Sequence, residues 1–178
     1  HASLAPSEMC IRDSDRPEPH TQELKTYRPW EDTVKITGIE AIPYNIPYVK
    51  PLKFASGEVH NAEHVLVRIH TDAGVTGVAD APPRPYTYGE TQHSITSIID
   101  EVFAPEIVGL NPMDREKVRA IMHRTIHNQV AKGAVDIALW DIAGKITEQP
   151  VHKLLGGYTD SMRVSHMLGF KPVSYTHL

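Results

Sequence analysis

Histidine pairs, isolated acids and aromatic-bearing loops are the places in this sequence where residue type and spacing could do chemistry. His123 and His127 stand four apart in a stretch of helical periodicity, so both could face one metal ion. The intervening Arg124-Thr125-Ile126 lacks the Glu of the zinc-protease pattern, and no third ligand accompanies the pair. An ordinary helix surface is the better reading. His60, His64 and His70 straddle a loop and a strand, and their spacing implies no convergent geometry. No Gly-rich loop follows a strand and opens a helix, so a phosphate cradle of that kind is not expected. Two irregular loops carry the remaining candidates. Pro47–Asn61 is long enough to be functional and holds Phe54, a large apolar group among polar neighbours, beside Ser56 and Gly57, which permit close backbone approach. Ala81–Glu90 is stiffened by Pro82, Pro83 and Pro85 and offers Tyr86 and Tyr88, each a ring with a hydroxyl.

The elements that must position these loops follow from hydrophobic periodicity. Val34–Ile46, rich in Ile and Tyr, reads as a strand frayed by Pro43 and Pro47. His64–Thr71 alternates strictly, with Val65, Val67 and Ile69 on one face. Thr71-Asp72-Ala73-Gly74 is a hairpin turn, and Val75–Ala79 returns as a third strand. Thr91 can cap a helix with the apolar face Ile95, Ile98, Ile99 and Val102, ended by Pro105. Asn111-Pro112 opens another, with Asp114 in its first turn and Val118, Ile121, Met122 and Ile126 inward.

The longest helical pattern lies in Ala131–Gly157. Val135, Leu139, Ile142 and Ile146 fill one side, Ala134, Ile137 and Ala138 a second and Trp140 a third, so this helix must be covered on more than one face. Asp141 precedes Lys145 by four residues, the favoured order for an ion pair, while Asp136 has no partner in helical reach and must look outside its own helix. Gln149-Pro150 ends the run, Pro150 starts a short turn, and Gly156-Gly157 supply a left-handed stop. Met162–Phe170 reads as one further strand. Strands followed by helices argue an α+β domain, a three-stranded antiparallel meander with a helical bundle.

The 178 residues suit one domain with a piece of another, and a net charge of −4 gives no reason to expect nucleic acid or an anionic membrane as partner. No apolar run approaches the roughly 18 residues of a membrane span. The single Cys10 excludes an internal disulfide framework. A soluble, cytoplasmic protein is the default. Residues 1–33 read as an unstructured lead. Met9–Ser14 (MCIRDS) and Val173–Leu178 (VSYTHL) resemble translated sequencing-adapter sequence, so part of the lead and the tail 172–178 are set aside from the fold.

The stretch Ala131–Gly157 resembles the signature segment of the mandelate racemase/muconate lactonizing enzyme group of the enolase superfamily. The matching positions are Ala131, Gly133, Ala134, Val135, Asp136, Ala138, Leu139, Asp141, Ile142, Gly144, Lys145, Pro150, Val151, Leu154, Leu155 and Gly156. The meander is similar to that family's capping domain, which implies a cap over 34–130, the signature helix and first barrel strand over 131–171, and a (β/α) barrel that is truncated here. A full barrel takes about 250 residues. The family's small-Gly-Glu strand ending appears here as Ala79-Asp80, so no role passes to Asp80, and a solvated strand end is the better reading.

The resemblance implies Mg²⁺ in the complete enzyme, stabilising the enolate formed when a proton leaves the carbon beside a carboxylate. It also implies a small carboxylate substrate and a homo-oligomer. Its three metal carboxylates and base lysines lie on later strands. Lys145 is in the signature helix and Lys171 has no Lys-x-Lys companion, so no catalytic residue and no metal ligand is assigned in this chain. What the resemblance assigns to the cap is a lid: the loops carrying Phe54, Ser56, Gly57, Tyr86 and Tyr88 would close over the substrate. The alternative is a non-catalytic α+β binding or interaction module. A module of that kind buries the whole girth of the 131–157 helix, whereas a piece of an enzyme leaves one side uncovered.

Overall fold

In the computed structural model the described residues are 34–54 and 57–165, with the side chain of Phe54 excepted. The lead 1–33, Ser56, Lys171 and the tail 172–178 lie outside them. Three strands form one antiparallel sheet in the order β1 (Ile36–Phe54), β2 (Gly57–Thr71) and β3 (Thr76–Ala81). The helices follow: α1 (Gln92–Ser97), a widened π turn (Ile98–Phe103), α2 (Ala104–Ile107), α3 (Arg115–Met122), α4 (Gln129–Thr147) and α5 (Val151–Leu154). The α+β meander-then-helices order expected from the sequence is therefore the fold.

The alternation of β2 sets its two faces. Val65, Val67 and Ile69 are buried and meet Ala79 and Ala81 of β3 and Ile36 of β1. Ile95, Ile99, Phe103 and Ile107 cover this face from one side, and Val135, Leu139 and Ile142 of α4 from another, with Val118 and Met122 joining the same core. Burying an aliphatic side chain of this size contributes roughly 1.5–3 kcal/mol before entropy is subtracted.

α4 reaches β3 at a backbone contact. A Cβ on Gly77 would lie 2.1 Å from the Ala138 carbonyl oxygen and 2.6 Å from Ile142 Cγ1. The outward Val78 N–H of this edge strand donates to Asp141 (2.9 Å), and Lys145 Nζ donates to the Thr76 carbonyl and to Asp141, each at 2.7 Å. The expected Asp141–Lys145 pair thus forms and also seals a sheet edge. Asp136 finds its outside partner in Arg115 (2.8 Å), whose guanidinium lies 3.4 Å over the Trp140 ring. The helix stops at Glu148, in the left-handed region at φ 54°, and Gly156 and Gly157 also take positive φ.

Four expectations need correction. The span Pro47–Asn61 is a continuation of the β1–β2 hairpin, paired out to Phe54↔Gly57. Its prolines are accommodated because β1 is an edge strand, and because a bulge between Pro47 and Leu52 sets Tyr48–Pro51 against His60 alone. Pro105 does not end its helix. The widened turn before it leaves the second position of α2 without need of an N–H, and the helix runs on to Ile107. α3 begins at Arg115, with Asn111 Oδ1 accepting from the Met113 N–H before it, and ends at Met122. His123 and His127 therefore share no helix, His127 takes φ 62°, and Ile126 is exposed. Met162–Ser165, the described part of the expected last strand, has no regular structure and is exposed. A parallel barrel strand takes its hydrogen bonds from neighbouring barrel strands, which the described residues do not supply.

α4 is covered on part of its girth. Ala131, Ala134, Val135, Ala138, Leu139, Ile142 and Ala143 are buried, whereas Ile137 is 55% exposed and α5 has no buried residue.

Two outcomes follow. Gly77→Ala should force α4 from β3 and lower stability by at least about 2 kcal/mol, read as a fall in the urea midpoint. The outer sheet face carries Glu40, held below its ordinary value of 4.5 mainly by the His70 hydrogen bond and also by Arg68. A depressed carboxylate contributes stability above that value and loses it as pH falls, so the unfolding midpoint should drop below about pH 4.5 and Glu40→Gln should flatten the drop.

Candidate functional site

The ribbon formed by the outer part of β1 and β2 rises from the sheet beside the connection from β3 to α1, and the two enclose a cleft of about 720 Å³. One wall is Tyr48, Leu52, Gly57–Asn61 and Glu63. The other is Pro83–Thr87. The sequence-derived lid candidates divide between them. Gly57, at φ 136°, and Tyr86, 96% exposed, line opposite walls. Tyr88 is 60% exposed and is not among the lining residues. Phe54 sits at the ribbon end, its backbone paired with Gly57, and Ser56 falls outside the described residues.

The second wall is built by local bonds. The Arg84 carbonyl accepts from the N–H groups of Thr87 (2.9 Å), Tyr88 (2.6 Å) and Gly89 (3.3 Å), with Gly89 at φ 76° closing the turn. Its far end is anchored by Glu90, a buried carboxylate. Glu90 accepts from the N–H of Val130 (2.7 Å) and of Ala131 (3.3 Å), in the first turn of α4. Asn128 precedes that turn with no side-chain cap bond, and the turn holds no acid of its own. The anion at this helix start therefore comes from 40 residues earlier in the chain. Sequence reasoning missed Glu90. The signal available was a strong helix whose start has neither a capping pattern nor an acid.

The ribbon root is fixed on the outer sheet face. The Tyr44 hydroxyl donates to Asp80 (3.1 Å), and His64 Nδ1 donates to the same carboxylate at 2.7 Å, with the two rings stacked at 5.5 Å. Loss of water contact, then the Asp80 carboxylate, holds the Tyr44 phenol above its usual range. Asp80 is 46% exposed at its side chain, so the solvated strand end is also a cross-strand tie. His64 and His70 go to different acids, Asp80 and Glu40. Neither they nor His60 form a common centre. Asn61 and Glu63 line the cleft beside His60 and were not singled out from sequence, because their place depends on the ribbon that sequence read as a loop; Arg84 lines it from the other wall and was not singled out either. Among the described residues no three His, Cys, Asp or Glu side chains could together hold a metal ion. No helix among the described residues is long and apolar enough to cross a membrane.

Residues 37–156 match the family described as mandelate racemase / muconate lactonizing enzyme, N-terminal domain. The chain belongs to this family. It is 33% identical over 137 residues to the N-succinyl-L-Arg/Lys racemase of Bacillus cereus, covering 76% of this chain and 37% of that protein. It is 32% identical over 125 residues to the chloromuconate cycloisomerase of Cupriavidus pinatubonensis, covering 68% of this chain and 34% of that protein. Among solved structures, the muconate lactonizing enzyme from Mucobacterium smegmatis complexed with muconolactone aligns with a TM-score of 0.73 at 59% identity, covering 77% of this chain and 37% of that one. The dipeptide epimerase from Enterococcus faecalis, complexed with Mg and L-Leu-L-Tyr, aligns with a TM-score of 0.65 at 32% identity, covering 70% of this chain and 35% of that one. The chain thus spans little more than a third of these relatives, and the part it matches is the family's N-terminal domain.

Glu90→Ala should leave two N–H groups of the α4 start without an acceptor. The expected cost is about 2 kcal/mol, and proteolytic nicking within Pro83–Thr87 should quicken; Glu90→Gln, which keeps one acceptor, should cost less.

Proposed function

We propose that this chain is the substrate-capping part of an enolase-superfamily isomerase or lyase that takes a proton from, or returns one to, the carbon beside a carboxylate by way of an enolate, and that it serves cycloisomerisation of a muconate-type diacid, in which one carboxylate closes on a double bond, the enolate forms at the other carboxylate and its α-carbon gains a proton. The observation that carries the reading is the convergence of ribbon and Pro83–Thr87 on one cleft, in a chain that spans 37% of a muconate lactonizing enzyme at 59% identity. The half-covered α4 supports it: Ile137 of α4 is 55% exposed, and Leu155 just after α5 is 63% exposed, apolar groups that a catalytic barrel would cover and a free-standing binding module would bury. On this reading the domain boundary falls near residue 131 and the catalytic half lies outside the described residues.

The cap's own contribution is physical. Carbon acids beside a carboxylate are weak, and enolate formation is costly in bulk water. A lid that excludes water strengthens every electrostatic contact beneath it. Gly57 and Tyr86 are placed on facing walls to close over the substrate, with Phe54 at the ribbon end and Tyr88 on the turn behind; Ser56 is proposed for the same lid. Mg²⁺, named with the dipeptide epimerase structure, belongs to the complete enzyme. We place that enzyme in the cytoplasm as a homo-oligomer. By itself the 178-residue chain should turn over no substrate.

A second reading is racemisation or epimerisation of an acylated amino acid or dipeptide. It is favoured by the 33% and 35% identities to the N-succinyl-L-Arg/Lys racemase and to the L-Ala-D/L-Glu epimerase of Bacillus subtilis. Assay of the complete enzyme carrying this cap separates the two. Loss of muconate absorbance is expected. Exchange of a dipeptide α-proton in D₂O without muconate turnover would favour the second. Phe54→Ala should change the ratio of kcat/KM between muconate and a chlorinated analogue by about tenfold, and an unchanged ratio would remove Phe54 from the pocket.

A further inference from the structure

We infer that Gln92 is a positioning residue for the cleft: its side-chain amide pins both strands of the ribbon, where the ribbon leaves the sheet, to the first turn of α1, and so fixes the separation of the two walls. The inference rests on the capping reading above.

β2 has support from β3 only as far as Val65↔Ala81, and beyond that pair the ribbon consists of its own two strands. A two-stranded ribbon is marginally stable and twists easily, and this one also carries the bulge after Pro47. At its root the two N–H groups of Gln92 Nε2 serve three acceptors, the Tyr44 carbonyl (2.9 Å), the His64 carbonyl (2.8 Å) and Asn45 Oδ1 (3.0 Å), so one N–H is shared between two of them. Tyr44 and His64 are cross-strand partners, so one amide holds both strands at the same level. Gln92 is the first residue of α1 and stands two positions after Glu90. Glu90–Gln92 therefore ties the end of the second wall to α4 through one side chain and to the ribbon through another.

The Asp80 tie on the outer face differs in what it fixes. It holds Tyr44 and His64 to β3 and so keeps the root in the sheet. It makes no bond to α1. The angle between ribbon and second wall is set at Gln92. Leverage makes that angle matter. From His64 to Gly57 the ribbon runs seven residues, about 23 Å at 3.3 Å each, so a root rotation of about 10° moves the tip about 4 Å. A shift of that size changes which substrate the cleft admits while leaving the catalytic half untouched.

The test uses two substitutions. Gln92→Glu keeps the shape, removes the donors and sets an acceptor against three acceptors. Gln92→Lys puts donors back, three N–H groups where the amide has two, on a side chain one bond longer. In hydrogen exchange on the 178-residue chain, Gln92→Glu should speed the amides of Leu52 and Val59 at least tenfold, with Val67 and Ile69 unchanged and Gln92→Lys close to wild type. In the complete enzyme Gln92→Glu should raise KM at least fivefold with kcat within twofold, and Gln92→Lys should recover most of the loss. Unchanged ribbon exchange in Gln92→Glu overturns the inference. So does ribbon and core loosening together with no recovery in Gln92→Lys, since that pattern marks a general structural role. A wild-type complete enzyme inert toward every carboxylate substrate would defeat the capping reading instead, and the exchange pattern would still decide the pin.

Discussion

The Cβ of a strand residue normally limits how near a helix can come to a sheet edge. At Gly77 that limit is absent, and α4 lies with the Ala138 carbonyl where a methyl group would otherwise sit. The rest of the domain depends on this contact. It brings Asp141 and Lys145 within reach of the outward backbone groups of Val78 and Thr76, so the edge of β3 is satisfied by helix side chains in place of a fourth strand. It sets Val135, Leu139 and Ile142 over the buried face of β2. It also fixes the start of α4, and with it the place where Glu90 must end.

From that point the construction runs outward through single side chains. Glu90 fastens the Pro83–Thr87 wall to α4, Gln92 fastens the ribbon to α1, and Asp80 fastens the ribbon to the sheet. None of these three is apolar, and each satisfies groups that would otherwise lack partners. The cleft is thus assembled from polar ties on a hydrophobic platform. Such a wall can vary in sequence at its tip without disturbing the core beneath, which suits a part that selects among substrates.

The fold was legible where periodicity is strict. Val65, Val67 and Ile69 announce a half-buried strand, and the apolar girth of α4 announces a helix gripped from more than one side. Asp141 and Lys145 announce each other by spacing alone. The ribbon was illegible because Pro47 and Pro51 imitate a loop, and only pairing along an edge strand shows that they are tolerated. Pro105 misled for a related reason, since a widened turn upstream removes the need for its missing N–H. Of the cleft, Gly57 and Tyr86 could be found from composition. Glu90 and Gln92 could not, because each bonds across the chain and nothing within a few residues of either marks its partner; Arg84 and His60 reach the cleft only once the turn and the ribbon have formed.

The two borders of the sheet are closed in different ways. β3 is sealed by helix side chains, while β1 carries Pro43 and Pro47 along its pairing region and Pro51 in the bulge, leaving fewer N–H groups for an incoming strand. Neither border is a good template for a foreign chain. Molecules of this domain that adhere to one another should do so through exposed apolar side chains of the helical part such as Ile137 and Leu155, giving amorphous, thioflavin-silent clumps and not cross-β fibres.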